Sequence, residues 1–173
     1  MKIILERYYG DWRTTKALMR VESEEGRVLL RCEAREPRYA QYTEAFHGCS
    51  RCCLAEGVFG LKVVATELSP MTLTVVKSPG HRCCRIGYDD VAQVKANRVL
   101  VGESDGYDLP EYRDLVNQED TFRRLESLVY AAYVRGEAMT LEVTNLVLLR
   151  TLSPDPSPVE GEGRSCGEVR NER

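Results

Sequence analysis

"GVFGLKVVATELSPMTLTVV", residues 57–76, decides the fold class of this chain. Val58, Val63, Val64, Thr72, Thr74, Val75 and Val76 make the stretch rich in β-branched side chains, which fit a pleated sheet better than a helix. Its apolar residues alternate with polar ones instead of recurring at intervals of three and four, so the period is that of a strand. Ser69 and Pro70 in its middle read as the break between two paired strands.

The same reading extends outward in both directions. Residues 2–8 predict a strand, and "KALMRVES" with "RVLLRCEA" predicts a hairpin turned at "EEG", where Gly26 supplies the positive φ a tight turn requires. "NRVLVGES" is a further short strand bounded by turn residues. In "ERYYGDW" the pattern predicts a strand with Tyr8 or Tyr9 facing the core; the alternative is an exposed patch for stacking a sugar or peptide. "QEDTFRRLESLVYAAYVRG" is helical: Phe122, Leu125, Leu128, Val129 and Ala132 fall on one stripe. Asn117 or Asp120 suits its N-cap, Glu119 and Asp120 suit the positive end of its dipole, and Gly136 suits its stop. "AMTLEVTNLVLL" then returns to the sheet as a closing strand.

The expected fold is therefore α+β and mostly β: a compact antiparallel β-rich domain over residues 1–150, with one C-terminal helix packed on the sheet. From Thr151 the chain turns to Pro, Gly and charge, too poor in apolar residues to offset its ordering entropy. Residues 151–173 are expected to be a disordered tail.

Composition narrows the function classes. The chain of 173 residues carries 24 Lys and Arg against 27 Asp and Glu, scattered along its length. That balance argues against nucleic acid as a partner, because phosphate affinity needs concentrated positive charge. The opening apolar run stops at Glu6 and Arg7, and nothing later approaches the roughly 18 apolar residues of a membrane span. The expected location is cytoplasmic. Seven cysteines, an odd number, then imply reduced thiols rather than a disulfide framework.

Those cysteines concentrate in two places. "FHGCSRCCL" (46–54) holds His47, Cys49, Cys52 and Cys53, and "HRCC" holds His81, Cys83 and Cys84. Three readings stand. A nucleophilic Cys49 with His47 or His81 as its base would serve cysteine-dependent acyl transfer, given a lowered thiol pKa and donors for an oxyanion. A structural zinc would be held by Cys49, Cys52, His81 and Cys84, the strand pair between the clusters bringing them together; no other cofactor is implied. In the third reading the cysteines are small apolar residues at strand ends, which need no function to be buried. "GESDGYD" lacks the ligand spacing of a calcium loop and reads as a solvated loop.

Taken with "TFRRLESLVYAAYVRGEAMTLEV", "RVLVGE" resembles the phage- and prophage-associated family catalogued as domain of unknown function 5675. Leu100, Val101 and Gly102 match its Ile-Leu-Val-Gly run. "CEAREP" (Cys32 to Pro37) stands where its first element falls, and Gly57 and Phe59 match its Pro-x-Gly-x-Tyr segment. The resemblance spans roughly residues 2–145 and is strongest in the last third. Members carry a paired histidine and cysteine similar to those of L,D-transpeptidases, which implies cell-wall chemistry. Here those positions fall on Arg85 and Arg98, and neither guanidinium can act as thiolate or base. The resemblance thus implies a member that has lost this pair. Such a chain would act without catalysis, by binding a protein or cell-wall component, with Arg85 and Arg98 available as an anion site.

Overall fold

The structure is a computed structural model, and it describes residues 1–10, 14–38, 53–66, 69–76, 84–88, 98–109 and 112–146. Nine strands are described: β1 (Lys2–Gly10), β2 (Thr14–Glu22), β3 (Val28–Pro37), β4 (Gly57–Thr66), β5 (Ser69–Val76), β6 (Cys84–Gly87), β7 (Arg98–Ser104), β8 (Leu115–Val116) and β9 (Thr140–Asn145). One helix, α1 (Gln118–Val134), precedes β9. The strands pair in the order β3-β2-β1-β9-β4-β5-β6-β7, and β7 pairs back onto β3. Eight strands therefore close on themselves as a barrel, a form that abolishes sheet edges. The short β8 adds to β7 outside this ring.

The mostly-β expectation with one helix holds, and the wholly antiparallel arrangement does not. β1 runs parallel to β9, and β6 runs parallel to β7. Side-chain alternation is the same in both kinds of ladder, so periodicity alone carries no strand direction. The 57–76 stretch does form an antiparallel pair, but β5 already includes Ser69 and Pro70, with Ser69 in register with Thr66. A proline at the start of a strand leaves the ladder further along intact.

Register sets the interior. Ile3 lies beside Val21 and Leu141, and Leu5 beside Met19 and Val143. Met19 faces Cys32, Leu73 faces Ile86, and Ile86 faces Val99. All of these are buried in one apolar cluster. Leu125, Val129 and Ala132 of α1 belong to the same cluster, so the helix stripe covers inward-facing strand residues and closes an opening of the barrel. Helix propensity is secondary here; a stripe of this kind is held mainly by what it buries.

The helix ends follow chemistry that the sequence half shows. Gly136 adopts φ 71° just past the last turn, as expected of a left-handed stop. Asn117 stands at the N-cap with φ 50°, yet its side chain makes no capping bond. Its amide instead donates to Glu103 at 2.8 Å, tying the helix start to β7, so of the two candidates Asn117 takes the N-cap position without making the side-chain bond. Gly26 turns the β2–β3 hairpin at φ 79°.

Candidate functional site

Of the sequence-predicted residues, Arg85 and Arg98 are brought together. They are register partners on the parallel strands β6 and β7. Their neighbours Ile86 and Val99 are buried inside, so both guanidinium-bearing side chains leave the outer face of the sheet. Arg85 is also in register with Thr74, and Thr74 with Lys62. Lys62, Thr74, Arg85 and Arg98 thus form one row across four strands. Adjacent strands lie about 4.8 Å apart, so the two guanidinium-bearing side chains leave the sheet side by side, close enough for one anionic group to meet both.

His47, Cys49, Cys52 and His81 lie outside the described residues, and nothing is placed for the acyl-transfer pair. Cys84, the fourth expected zinc ligand, is buried on β6 in register with Val75, within the apolar cluster. Among the described residues no group of three or more His, Cys, Asp or Glu side chains is assembled to hold a metal ion. Cys32, Cys53 and Cys84 are all buried. Burial first, and then the nearby Glu33 carboxylate, push the Cys32 thiol up to about 12, which makes it a poor nucleophile at neutral pH.

Two polar assemblies escaped the sequence reading. The first is inside the barrel. Arg7 is 1% exposed and Glu36 is fully buried, where the pattern of Ile3, Leu5, Cys32 and Ala34 puts apolar residues. Arg7 Nε donates to one Glu36 oxygen at 2.6 Å and Nη2 to the other at 2.8 Å, a bidentate pair. Both groups then clamp the backbone of one residue: Arg7 Nη2 donates to the Leu54 carbonyl at 2.6 Å, and the Leu54 N–H donates to Glu36 at 3.0 Å. The pair therefore fixes the segment that follows the first cysteine cluster.

The second lies on the outer face and forms a cleft lined by Tyr8, Lys16, Glu33, Arg35, Arg113 and Asp114. A register shift in β1 between Arg7 and Tyr9 creates it. Arg7 points in by the same alternation as Ile3 and Leu5; the bulge after it puts Tyr9 opposite the outward Lys16, and Tyr8 reaches Glu33, so neither tyrosine faces the barrel core. Tyr8 donates to Glu33 at 2.8 Å, and the Arg113 guanidinium lies 5.6 Å over the Tyr8 ring. Lys16, 5% exposed, donates to the Arg113 carbonyl at 2.6 Å, and its ammonium lies 5.5 Å over the Tyr9 ring. Arg35 donates to the same carbonyl and pairs with Asp114 at 2.6 Å.

Burial, more than any other cause, raises the Glu33 carboxyl above its usual range, with Tyr8 and Arg113 working the other way. Burial and then Glu33 push the Tyr8 phenol well above its usual value. For Asp114 burial acts upward, but the Leu115 N–H and Arg35 outweigh it and hold the carboxyl low. A raised carboxyl can serve as an acid or base. Here, however, one Glu33 oxygen accepts from Tyr8 and the other faces Arg113 at 3.8 Å, so the groups chiefly hold one another.

Comparison with family models, curated proteins and solved structures returns no match. Geometry alone defines the class: an eight-stranded closed barrel, lined by apolar side chains and one clamped ion pair, with charged assemblies on its outside. Among the described residues no helix is long and apolar enough to cross a membrane.

Proposed function

We propose that the protein is a non-catalytic binding module, a diverged member of the phage-associated family it resembles, acting on a protein or cell-wall partner through an anionic group of that partner. The observation that carries this reading is the register pairing of Arg85 with Arg98, extended by Thr74 and Lys62 along the same outer row. Paired guanidinium groups match the two oxygens of a carboxylate or phosphate.

The test is titration of the full chain with inorganic phosphate and with a dicarboxylate, following the arginine side-chain N–H signals by NMR. The expected result is a saturable shift at Arg85 and Arg98 that Arg85→Ala with Arg98→Ala weakens at least tenfold. A response spread over all arginines, or one unchanged in the double variant, would sink the anion site. A thiol at Cys49 that alkylates far faster than a model thiol at neutral pH would overturn the non-catalytic reading in favour of acyl transfer.

A further inference from the structure

The segment between β7 and β8 displays a second surface that the arginine row does not explain. Tyr107, Leu109 and Tyr112 are 62%, 56% and 66% exposed, although they sit within a few residues of one another. Large apolar side chains held out this far cost nothing singly, but grouped on one short loop they mark an interaction site. The loop backbone is fixed without them. Arg113 reaches back to donate to the Tyr107 carbonyl at 2.7 Å and the Asp108 carbonyl at 3.3 Å. The Asp105 N–H bonds the Asp114 carbonyl at 3.2 Å, and the Asp105 carboxylate accepts the Tyr107 N–H at 3.3 Å. The base is held in turn by Lys16 and Arg35, both on the Arg113 carbonyl.

The geometry points to Tyr107, Leu109 and Tyr112, on the clamped backbone of residues 104–109 and 112–114, as a preformed docking element for a partner segment that carries Lys or Arg among apolar side chains. Tyrosines on a rigid backbone lose little entropy on binding and are typical interface anchors. The charge around them selects the partner: Asp105 and Asp108 flank Tyr107, and Arg113 is turned inward onto the loop's own carbonyls. A cationic segment gains from both the carboxylates and the ring faces. Tyr130, Tyr133 and Val134 on α1 are also exposed, but of the carboxylates near them in sequence Glu137 is already paired with Arg135 and the N-terminal ammonium.

A random dodecapeptide display library, panned on the full chain, tests this directly. Enriched peptides should be rich in Lys or Arg with interspersed apolar residues. A synthetic copy of the leading peptide should lose at least tenfold in affinity when Tyr107, Leu109 and Tyr112 are all changed to Ser, and should weaken with rising salt. Tyr130→Ser with Tyr133→Ser should leave binding unchanged. Enrichment of acidic peptides, or loss of binding only in the helix variant, would overturn the assignment. So would a self-associated wild-type chain in sedimentation that the triple variant disperses, since the occupant would then be a second copy. Arg85→Ala with Arg98→Ala, in which peptide binding should persist, separates failure here from failure of the anion site.

Discussion

At the scale of single residues, the outer cleft and the interior pair make opposite demands on their charges. Tyr8→Phe keeps the ring under Arg113 but removes the donor to Glu33. Its expected cost is about 1–2 kcal/mol, because a buried carboxylate then loses a hydrogen bond. Since that bond lowers the Glu33 pKa, the carboxyl should titrate still higher in the variant, read from its 13C shift. The phenol supplies a second signature. Its folded pKa lies above its ordinary value of 10.0, so above pH about 10 the unfolded chain gives up a proton that the folded one retains. Stability should therefore fall as pH rises past that point, and less steeply in Tyr8→Phe. Inside the barrel, Arg7→Met strands the Glu36 carboxylate and should cost about 3–5 kcal/mol in denaturant unfolding. Arg7→Met with Glu36→Met should cost less than the sum of the two single changes, though not nothing, because both backbone groups of Leu54 then lose their partners. Additive losses would mean that the pair is not coupled. Arg7 and Glu36 were open to detection in the sequence, since each takes a position that alternation reserves for the core. The cleft was not, because Arg113 comes to Tyr8 across most of the chain and a one-residue bulge decides which side chain turns in.

At the scale of elements, the longer strands and the helix could be read because their periodicity is local, whereas the four-residue β6, the two-residue β8 and the contact between β7 and β8 could not. Gly102, matched above to the glycine of the Ile-Leu-Val-Gly run, has a physical reason to be there. A Cβ on it would stand 2.8 Å from the Val116 carbonyl oxygen and 3.1 Å from Leu115 Cβ, both on β8. Backbone that close cannot swing aside as a flexible side chain would, so Gly102→Ala must push β8 off β7. The expected loss is about 1–3 kcal/mol, the range of overpacking in a tight site. It should come with faster hydrogen exchange at the Asp105 amide, which bonds Asp114 across the loop base. An Asp105 amide as protected as in the parent would show that β8 tolerates the methyl group. The same variant should weaken peptide docking at Tyr107 and Tyr112 without touching them, because their loop hangs between the two strands.

For the whole molecule, closure is the property that no local pattern announces. The residues of β9 read as a strand, yet nothing in them says that it lies between β1 and β4, parallel to one and antiparallel to the other. Pairing of Lys2 with Thr140 joins the first strand to the last across almost the whole described chain. Alternation fixes which face of each strand is buried, and only the pairing partners fix whether the sheet stays open or rolls up. The two ends of the sequence should therefore differ sharply in what they contribute. Ending the chain after Arg150 removes the Pro- and Gly-rich segment that composition marks as unable to build a core. Thermal unfolding should then shift by no more than about 2 °C, the equivalent of at most about 1 kcal/mol for a domain of this size. Ending it after Gly136 removes β9 and leaves β1 and β4 each with an open edge around an exposed core. That chain should lose its single cooperative transition and bind a hydrophobic dye. If it instead unfolds cooperatively near the parent's midpoint, the barrel does not depend on β9, and the pairing of first and last strands does not hold the fold closed.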